Sequence, residues 1–380
     1  MTSTLITDRP LIGIGSKRLR AKNVILMIGD GMGPVQRQAG RLAKRGPLVM
    51  DALPVRGLME TSCADPIATI TDSAAAATAL ATGVKTYNGA IGVGLDGQPL
   101  PTILEHAKQA GLAAGLVTTC QITDATPAAF AAHVAARTDH SEIARQFIEE
   151  SGVDVILGGG EDYWFPEGVP GAYPDFPEDA PNEWSRGTRG NLVERAQDFG
   201  YRYASNREQL LRAESRKLLG LLANQELFRQ KPEGEGDRYD PDVTLAEMTN
   251  KAISTLARHN DGFFLMIEEA AIDRMAHQNN TRLAIKGVLE LDRAVLVAQA
   301  FAEADGETLV IVTADHECGG LAIAGHETEL DTHDVMSWAT TGHTDVSVPL
   351  TAYGPGADLL AGEIRNTDLF DALIEAMGLR

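Results

Sequence analysis

Short apolar runs alternate with stretches of helical periodicity along this 380-residue chain. Each run is nearly continuous in apolar residues, which is typical of a strand that is covered on both faces. The alternation of such strands with helices predicts an α/β sandwich with a mostly parallel sheet. The predicted strands are 23–31, 113–119, 154–160, 262–269 and 307–316, and the predicted helices are 34–46, 102–110, 127–150, 243–259 and 280–305.

The net charge of the chain, −20 with 53 acidic against 33 basic residues, limits its partners. Nucleic acids and anionic membrane surfaces both bind basic faces, so neither is expected to be the main partner. An anionic substrate would need positive charge supplied locally by its site. No run reaches the roughly 18 apolar residues of a membrane span. Three cysteines, interpreted as structural thiols because their spacings match no metal motif, are Cys63, Cys120 and Cys318.

Three segments stand apart from the alternating pattern. Residues 1–21 are predicted to form an arm outside the sheet, and charged residues and a proline interrupt its apolar residues, so it does not read as a signal peptide. Residues 161–190 hold five prolines and two of the three tryptophans, which favours an ordered surface loop over a disordered linker. A second surface insertion is predicted near 320–340. Residues 22–380 are then predicted to form a single domain that carries both insertions.

Carboxylates and histidines gather where the predicted strands end, and parallel sheets bind ligands at that edge. One aspartate after a strand is usually a turn residue or a helix cap, but the same residue types at three strand ends favour a shared site. Asp273 and His277 are four residues apart and would share a helix face, whereas the adjacent Asp315 and His316 fit a turn. Histidine nitrogen and carboxylate oxygen are zinc ligands. The residues at these ends are Asp30, Glu268, Asp273, His277, Asp315, His316 and His343.

Asp124 and Thr126 lie at another strand–helix junction. A carboxylate beside a hydroxyl suits Mg²⁺, which prefers oxygen ligands. The remaining histidines lie in helical or loop-like contexts and are interpreted as surface or core residues; they are His106, His133, His140, His259, His326 and His333.

The stretch "TDSAAAATALATGVKT" (71–86) places one serine before a run of alanines. Thr71 or Asp72 is a candidate N-cap for a helix that begins near Ser73. The alternative is that Ser73 is a nucleophile, because a helix N-terminus attracts phosphate and alanines let the backbone approach it closely. A serine hydroxyl needs a base or a metal to become reactive. Both interpretations remain open on these residues alone.

Six motifs occur in order from about residue 22 to the C-terminus. They are "VILMIGDGMG", "TDSAAAATALATGVKTYNGAIGV", "ITDATPAAFAAHVAAR", "IEEAAIDRMAHQNN", "TADHECGG" and "TGHTDVSVPLTAYGPGA". Together, and in this order, they resemble the alkaline phosphatase family, and only 161–240 and 320–340 are not diagnostic.

The resemblance implies a metal-dependent phosphomonoesterase with two Zn²⁺ and one Mg²⁺ per chain, on a three-layer αβα sandwich around a large central sheet. Ser73 matches the family's nucleophile, and Arg137 matches the arginine that binds the substrate phosphate through two oxygens at once. By the same resemblance, the first zinc site is Asp273, His277 and His343, the second is Asp30, Asp315 and His316, and the magnesium site is Asp30, Thr126 and Glu268.

The family's reaction would be hydrolysis of phosphate monoesters to an alcohol and phosphate through a phosphoserine. The resemblance also implies a homodimer that works in the periplasm or outside the cell. Only about twenty residues separate "TADHECGG" from "TTGHTD", where larger relatives carry an interface insertion. The dimer contact is therefore expected to be reduced or built elsewhere, with the N-terminal arm as a candidate.

Asp124 and Arg274 match positions that vary within the family. We expect Arg274 either to pair with Asp124 or to reach the phosphate through water, and the two residues to tune phosphate release and magnesium affinity. Asp72 is expected to orient Arg137 in addition to capping the helix. These three residues and Arg137 form the predicted substrate-binding set.

Three other interpretations are weighed against this one. A sulfatase needs a Cys-x-Pro-x-Arg context that none of the cysteines has, and a phosphodiesterase commonly uses threonine and lacks the phosphate arginine, so Ser73 with Arg137 favours monoesters. A non-catalytic metal- or phosphate-binding protein would keep the same ligands without turnover. Ordinary strand-end caps in an acidic protein would bind no metal at all.

Overall fold

A ten-stranded sheet forms the centre of the computed structural model, which describes residues 20–175, 184–228, 239–324 and 336–379. The strands in these residues are β1 (Asn23–Gly29), β2 (Val55–Glu60), β3 (Ala113–Gln121), β4 (Val155–Gly159), β5 (Arg202–Ala204), β6 (Leu218–Leu221), β7 (Phe263–Glu269), β8 (Thr308–Thr313), β9 (Glu317–Cys318), β10 (Leu321–Ile323), β11 (Met336–Trp338), β12 (His343–Thr344), β13 (Val348–Tyr353) and β14 (Gly362–Arg365).

The strand order of the large sheet is β14-β2-β13-β8-β1-β7-β3-β4-β6-β5. Neighbouring strands are parallel, except that β13 runs antiparallel to both β2 and β8. Two antiparallel ribbons, β10 with β11 and β9 with β12, lie outside this sheet. The predicted α/β fold with a mostly parallel sheet is therefore confirmed.

Eleven α-helices occur in the described residues, and none is both long and apolar enough to cross a bilayer. They are α1 (Pro34–Lys44), α2 (Ser73–Thr82), α3 (Ile103–Gln109), α4 (Ala125–Ala131), α5 (His140–Glu149), α6 (Leu192–Asp198), α7 (Arg207–Arg212), α8 (Leu245–Leu256), α9 (Ala271–Ala276), α10 (Thr281–Asp305) and α11 (Asp368–Met377).

Helices flank the sheet, as a three-layer αβα sandwich requires. The long α10 packs against α1, α8 and α9, while α2 packs against α4 and α11. Every residue of β1, β7 and β8 is buried. Strands that are covered on both faces have no polar alternation, which is why the sequence shows them as continuous apolar runs.

The predicted single helix over 127–150 is wrong. The chain forms α4 and α5, separated by an extended segment in which Val134 pairs with Ile91. The backbone is already extended at Ala132, where α4 ends. This break carries Arg137 out of a helix and toward the carboxyl ends of the strands.

Helix α2 is buried along its whole length, from Ser73 to Thr82. Its neighbour α4 is also rich in alanine, and side chains this small let two helix backbones pack closely. The alanine run therefore packs the serine-bearing helix into the core, and its first turn faces the strand ends.

The proline-rich segment is anchored where the structure describes it, in 161–175 and 184–190. Trp164 is fully buried, and the buried Glu161 accepts hydrogen bonds from the amides of Ala172 and Tyr173 at 2.7 and 2.9 Å. Residues 176–183 lie outside the described residues, as do 1–19, nearly all of the predicted arm, and 325–335 of the second insertion.

Candidate active site

Three adjacent strands bring the predicted ligands to one edge of the sheet. Strand β1 lies between β7 and β8, and Ile28 is in register with both Glu268 and Thr313. Asp30 follows β1 and Asp315 follows β8, so both carboxylates emerge at the carboxyl end of the sheet. This parallel arrangement, rather than closeness in sequence, gathers the acidic side chains.

The first metal group joins α9 to the ribbon of β9 and β12. His277 Nε2 lies 3.2 Å from Asp273 Oδ2, and His343 Nε2 lies 3.4 Å from Asp273 Oδ1. The two histidine Nε2 atoms are 3.1 Å apart. The four ligand atoms that lie within 4.8 Å of one another belong to Asp273, His277, His343 and, unpredicted, Cys318.

The second metal group consists of Asp30, Asp315 and His316, all of them buried. His316 Nε2 lies 3.1 Å from Asp315 Oδ2 and 3.5 Å from Asp30 Oδ1. The same nitrogen lies 3.2 Å from Ser73 Oγ. The rings of His316 and His343 stack with centroids 3.6 Å apart, so the two groups are neighbours.

Glu268 and Thr126 lie outside these two compact groups but close to the second. Thr118 Oγ1 donates a hydrogen bond of 2.5 Å to Glu268 Oε2. Burial raises the pKa of Glu268 to about 8, and the charge of Asp124 adds to this effect. The charge of Glu268 in turn helps to raise the pKa of Asp30, so the residues predicted for magnesium share one electrostatic environment.

Several buried polar atoms at this edge lack a hydrogen-bond partner among the described residues. They are Asp30 Oδ1, Asp273 Oδ1, Asp315 Oδ2, Thr126 Oγ1 and His316 Nδ1. An unpaired buried polar atom is costly, and a divalent cation is a suitable partner for the four oxygens among these five atoms. The residues present therefore fit divalent metal ions.

The electrostatics of the carboxyl groups support the same conclusion. Burial and the charges of Asp273 and Asp315 raise the pKa of Asp30 well above its usual value. Burial also raises the pKa of Asp315 to about 6. Carboxylates that are buried together repel one another, which disfavours their ionisation. A bound cation would remove this repulsion and stabilise the ionised carboxylates.

Ser73 is the first residue of α2, and its hydroxyl is buried beside the second metal group. Asp72 is the N-cap, because its Oδ1 accepts a hydrogen bond of 2.9 Å from the amide of Ala75. Thr71 Oγ1 instead donates to the carbonyl of Asp72. The cap and the serine are thus separate residues, which places the hydroxyl in front of the positive end of the helix.

Two carboxylates hold Arg137 from opposite sides. Its Nη1 lies 3.2 Å from Asp72 Oδ2, and its Nη2 lies 3.0 Å from Asp124 Oδ1. Arg274 Nη2 lies 2.6 Å from the other oxygen of Asp124. Burial opposes ionisation of Asp124, but the charges of Arg274 and Arg137 hold its pKa well below the usual range. These four residues form one charged network.

A cleft of about 290 Å³ contains the nucleophile candidate, the arginines and the first metal group. Three of the residues that line it, Gln121, Thr138 and His140, had no predicted role. His140 was expected at the surface or in the core, but its ring lies 4.2 Å from that of Tyr163 at the edge of the cleft. Its position three residues after Arg137 could have indicated that His140 lies near the site. The predicted helix over 127–150 included both residues, so this indication was missed.

Cys318, interpreted from the sequence as a structural thiol, lies in the first metal group, with its Sγ within 4.8 Å of the ligand atoms of Asp273, His277 and His343. Residues two apart in an extended segment lie on the same face, so the spacing of His316 and Cys318 could have indicated that the thiol lies near the predicted ligands. The described cysteines form no disulfide.

Comparison with known proteins gives consistent results. The alkaline phosphatase family model matches residues 21–333. The alkaline phosphatase of Escherichia coli is 36% identical over 423 residues, which cover 95% of this chain and 87% of the relative. Alkaline phosphatase 4 of Bacillus subtilis is 33% identical, covering 91% of this chain and 87% of the relative.

Solved structures agree with the sequence relatives. The alkaline phosphatase of the Antarctic bacterium TAB5 superposes with a TM-score of 0.80 at 32% identity, covering 95% of this chain and 99% of that one. A histidine-to-aspartate mutant of the TAB5 protein was solved with magnesium bound.

Proposed function

Because this chain belongs to the alkaline phosphatase family, we propose that it hydrolyses phosphate monoesters through a phosphoserine formed at Ser73. The chain is a metal-binding phosphatase, as its relatives are. The observation that carries the proposed mechanism is the position of Ser73 Oγ. It lies 3.2 Å from His316 Nε2, at the N-terminus of α2, in a cleft that also contains Arg137.

Three metal ions would be held by residues already described. Asp273, His277 and His343 would hold one Zn²⁺, and Asp30, Asp315 and His316 a second. Asp30, Thr126 and Glu268 would hold one Mg²⁺, in line with their oxygen-only donor set. When bound, such ions lower the pKa of a hydroxyl or water and neutralise phosphate charge.

The protein's own groups would then carry the reaction. The Ser73 oxygen attacks phosphorus in line with the leaving alcohol, and the bond between phosphorus and the ester oxygen breaks. The leaving alkoxide takes up a proton, which balances the one lost from the Ser73 hydroxyl, and the phosphoryl group remains on Ser73. Water then attacks the phosphoserine from the side that the alcohol vacated, which releases phosphate and restores the serine.

Arg137 and α2 would bind the phosphoryl oxygens. Asp72 and Asp124 already hold the guanidinium in place, so little side-chain freedom is lost when phosphate binds. The helix N-terminus contributes about half a positive charge at the serine. Together these groups supply the local positive charge that an anionic substrate needs in a protein of net charge −20.

We expect the purified protein to contain zinc and magnesium and to hydrolyse a phosphate monoester much faster than the matched diester. The reason is the substrate's charge, because a monoester presents three non-bridging oxygens and up to two negative charges to Arg137, α2 and the metals, whereas a diester presents two oxygens and one charge. The measurement is metal content and both hydrolysis rates on one sample. A diester rate equal to or above the monoester rate would show that the protein is a phosphodiesterase. Bound metal without hydrolysis of either substrate would show that it is a non-catalytic binding protein.

We expect Arg274→Ala to raise the inhibition constant for phosphate about 3- to 10-fold. This change corresponds to a loss of roughly 1 kcal/mol of phosphate-binding free energy from one charge-assisted contact. Asp124 would then have Arg137 as its main cation, and would draw that guanidinium away from phosphate while becoming a better magnesium ligand. The magnesium concentration for half-activation should therefore fall. Arg274→Lys keeps the charge and is the matched control. Unchanged turnover, phosphate inhibition and magnesium dependence in Arg274→Ala would refute this role.

Two further properties are proposed on the family relationship alone. The protein would work in the periplasm or outside the cell and act on small phosphate monoesters. It would form a homodimer, and the N-terminal arm of residues 1–21 is the candidate for part of the contact.

A further inference from the structure

A buried thiol lies among the ligands of the first metal group, and the proposed reaction does not use it. Cys318 is fully buried, and its Sγ lies within 4.8 Å of the ligand atoms of Asp273, His277 and His343. We propose that Cys318 is a fourth protein ligand at this site, and that its sulfur makes the site prefer thiophilic ions such as Zn²⁺ or Cd²⁺ to Mg²⁺ or Mn²⁺. This inference rests on the proposed function only in requiring that a metal binds there.

The backbone directs the sulfur toward the site. Cys318 is the antiparallel partner of His343 in the ribbon of β9 and β12. Side chains of directly opposed residues stand on the same face with Cβ atoms roughly 4.5–5.5 Å apart. The amide of Cys318 donates to Gly31 at 3.1 Å, and its carbonyl accepts from Gln36 Nε2 at 2.7 Å. The backbone of Cys318 is thus held at both its amide and its carbonyl beside a histidine ligand.

A second observation points to a cation in the same space. Asp273 is only 3% exposed, and its Oδ1 makes no hydrogen bond among the described residues, although His343 Nε2 lies 3.4 Å away. A carboxylate oxygen, two imidazole nitrogens and a sulfur that converge in this way make a donor set of the kind that zinc binds. Asp30 and Asp315 belong to the second group, so Asp273 is the carboxylate of this set.

The neutral thiol is the expected form only while no metal is bound. Burial and the charge of Asp273 raise the pKa of the Cys318 thiol well above its usual value. A bound divalent cation reverses that preference, because coordination takes the sulfur as thiolate and the proton passes to solvent. Sulfur favours zinc, cadmium and other soft ions, whereas magnesium and manganese favour oxygen.

The other two cysteines provide matched controls. Cys63 Sγ donates to the carbonyl of Ala68, and Cys120 Sγ lies 3.2 Å from Asp124 Oδ2. Within the described part of the chain, neither belongs to a metal-ligand group. Cys63 is the better control, because Cys120 adjoins the charged network of Arg274 and Asp124.

The test is the near-ultraviolet spectrum of the full-length protein loaded with Co²⁺, whose bond to a thiolate gives a sulfur-to-metal charge-transfer band. The band is expected in the wild type and Cys63→Ser and absent from Cys318→Ser and Cys318→Ala. Ser73→Ala should keep the band whatever its activity, which separates this inference from the proposed mechanism. Competition with a chromophoric chelator should show zinc binding weakened about 10-fold or more in Cys318→Ser, with magnesium binding unchanged.

Cobalt-loaded wild-type protein that shows ligand-field bands but no charge-transfer band would overturn the proposal, even if the Cys318 variants failed to fold. Zinc affinity equal in the wild type and in a folded Cys318→Ser variant would overturn it as well.

Discussion

Ser73→Ala is expected to lower kcat for a phosphate monoester by about 10⁴-fold or more, the usual scale for loss of a nucleophile. The reason is that no other hydroxyl lies so close to His316 in the described part of the cleft. Alanine is a better helix former than serine, and Asp72 still caps α2, so the variant should fold. Initial rates at saturating substrate measure the change.

Ser254→Ala is the matched control for this substitution. Ser254 is a helical serine on α8, outside the cleft, and its Oγ bonds only to the carbonyl of Lys251 among the contacts described. Its variant should keep the wild-type rate. A phosphorylated peptide that contains Ser73 should be trapped from the wild type at acid pH and be absent from Ser73→Ala. If Ser73→Ala kept more than a tenth of the rate, water would attack the substrate directly and no phosphoserine would be needed.

Removal of the metals is expected to abolish turnover and to destabilise the fold. Loss of about 5 kcal/mol of transition-state stabilisation corresponds to a rate lowered roughly 10⁴-fold. Each ion that is present at about 1,000 times its dissociation constant adds about 4 kcal/mol to the free energy of unfolding. Activity and thermal unfolding before chelation, after chelation and after readdition of Zn²⁺ and Mg²⁺ measure both effects.

The stability of the metal-free protein should fall as pH rises from about 4 to about 8. Burial raises the pKa of Asp30, of Asp315 to about 6 and of Glu268 to about 8, above the unfolded values near 4. The folded state therefore binds more protons than the unfolded state in this range, and folding weakens as they dissociate. The metal-loaded protein should show a much flatter profile. A flat profile without metal would mean that these carboxyls do not repel one another.

The sequence predicted the central strands well, because burial on both faces leaves continuous apolar runs. The shorter strands were not recognised. Exposed and partly buried residues alternate over only the first four positions of β2, and three of the four residues of β14 are exposed, so neither strand shows a clear period. The break between α4 and α5 was missed because it depends on Val134 pairing with Ile91, a contact that local periodicity does not contain.

The predicted zinc ligands could be found because strand ends and helical spacing are local features. Their convergence into two groups is a property of the parallel sheet, in which β1 lies between β7 and β8. Cys318 and His140 escaped prediction because their places depend on tertiary structure. One faces His343 across a ribbon, and the other lies beside Tyr163 of the proline-rich segment.

The pairing of distant segments at this edge also sets when the enzyme becomes active during its synthesis. Ser73 contacts His316, 243 positions later, and His343 Nδ1 contacts the carbonyl of Thr71, 272 positions earlier. At about 5–20 residues per second, the ribosome synthesises Thr71 roughly 15 to 50 s before His343. A nascent chain that has passed residue 316 but has not reached residue 343 has the nucleophile and the second metal group, but it lacks His343 of the first group and the β13 strand. Phosphatase activity is therefore expected to begin only after the ribosome has passed His343.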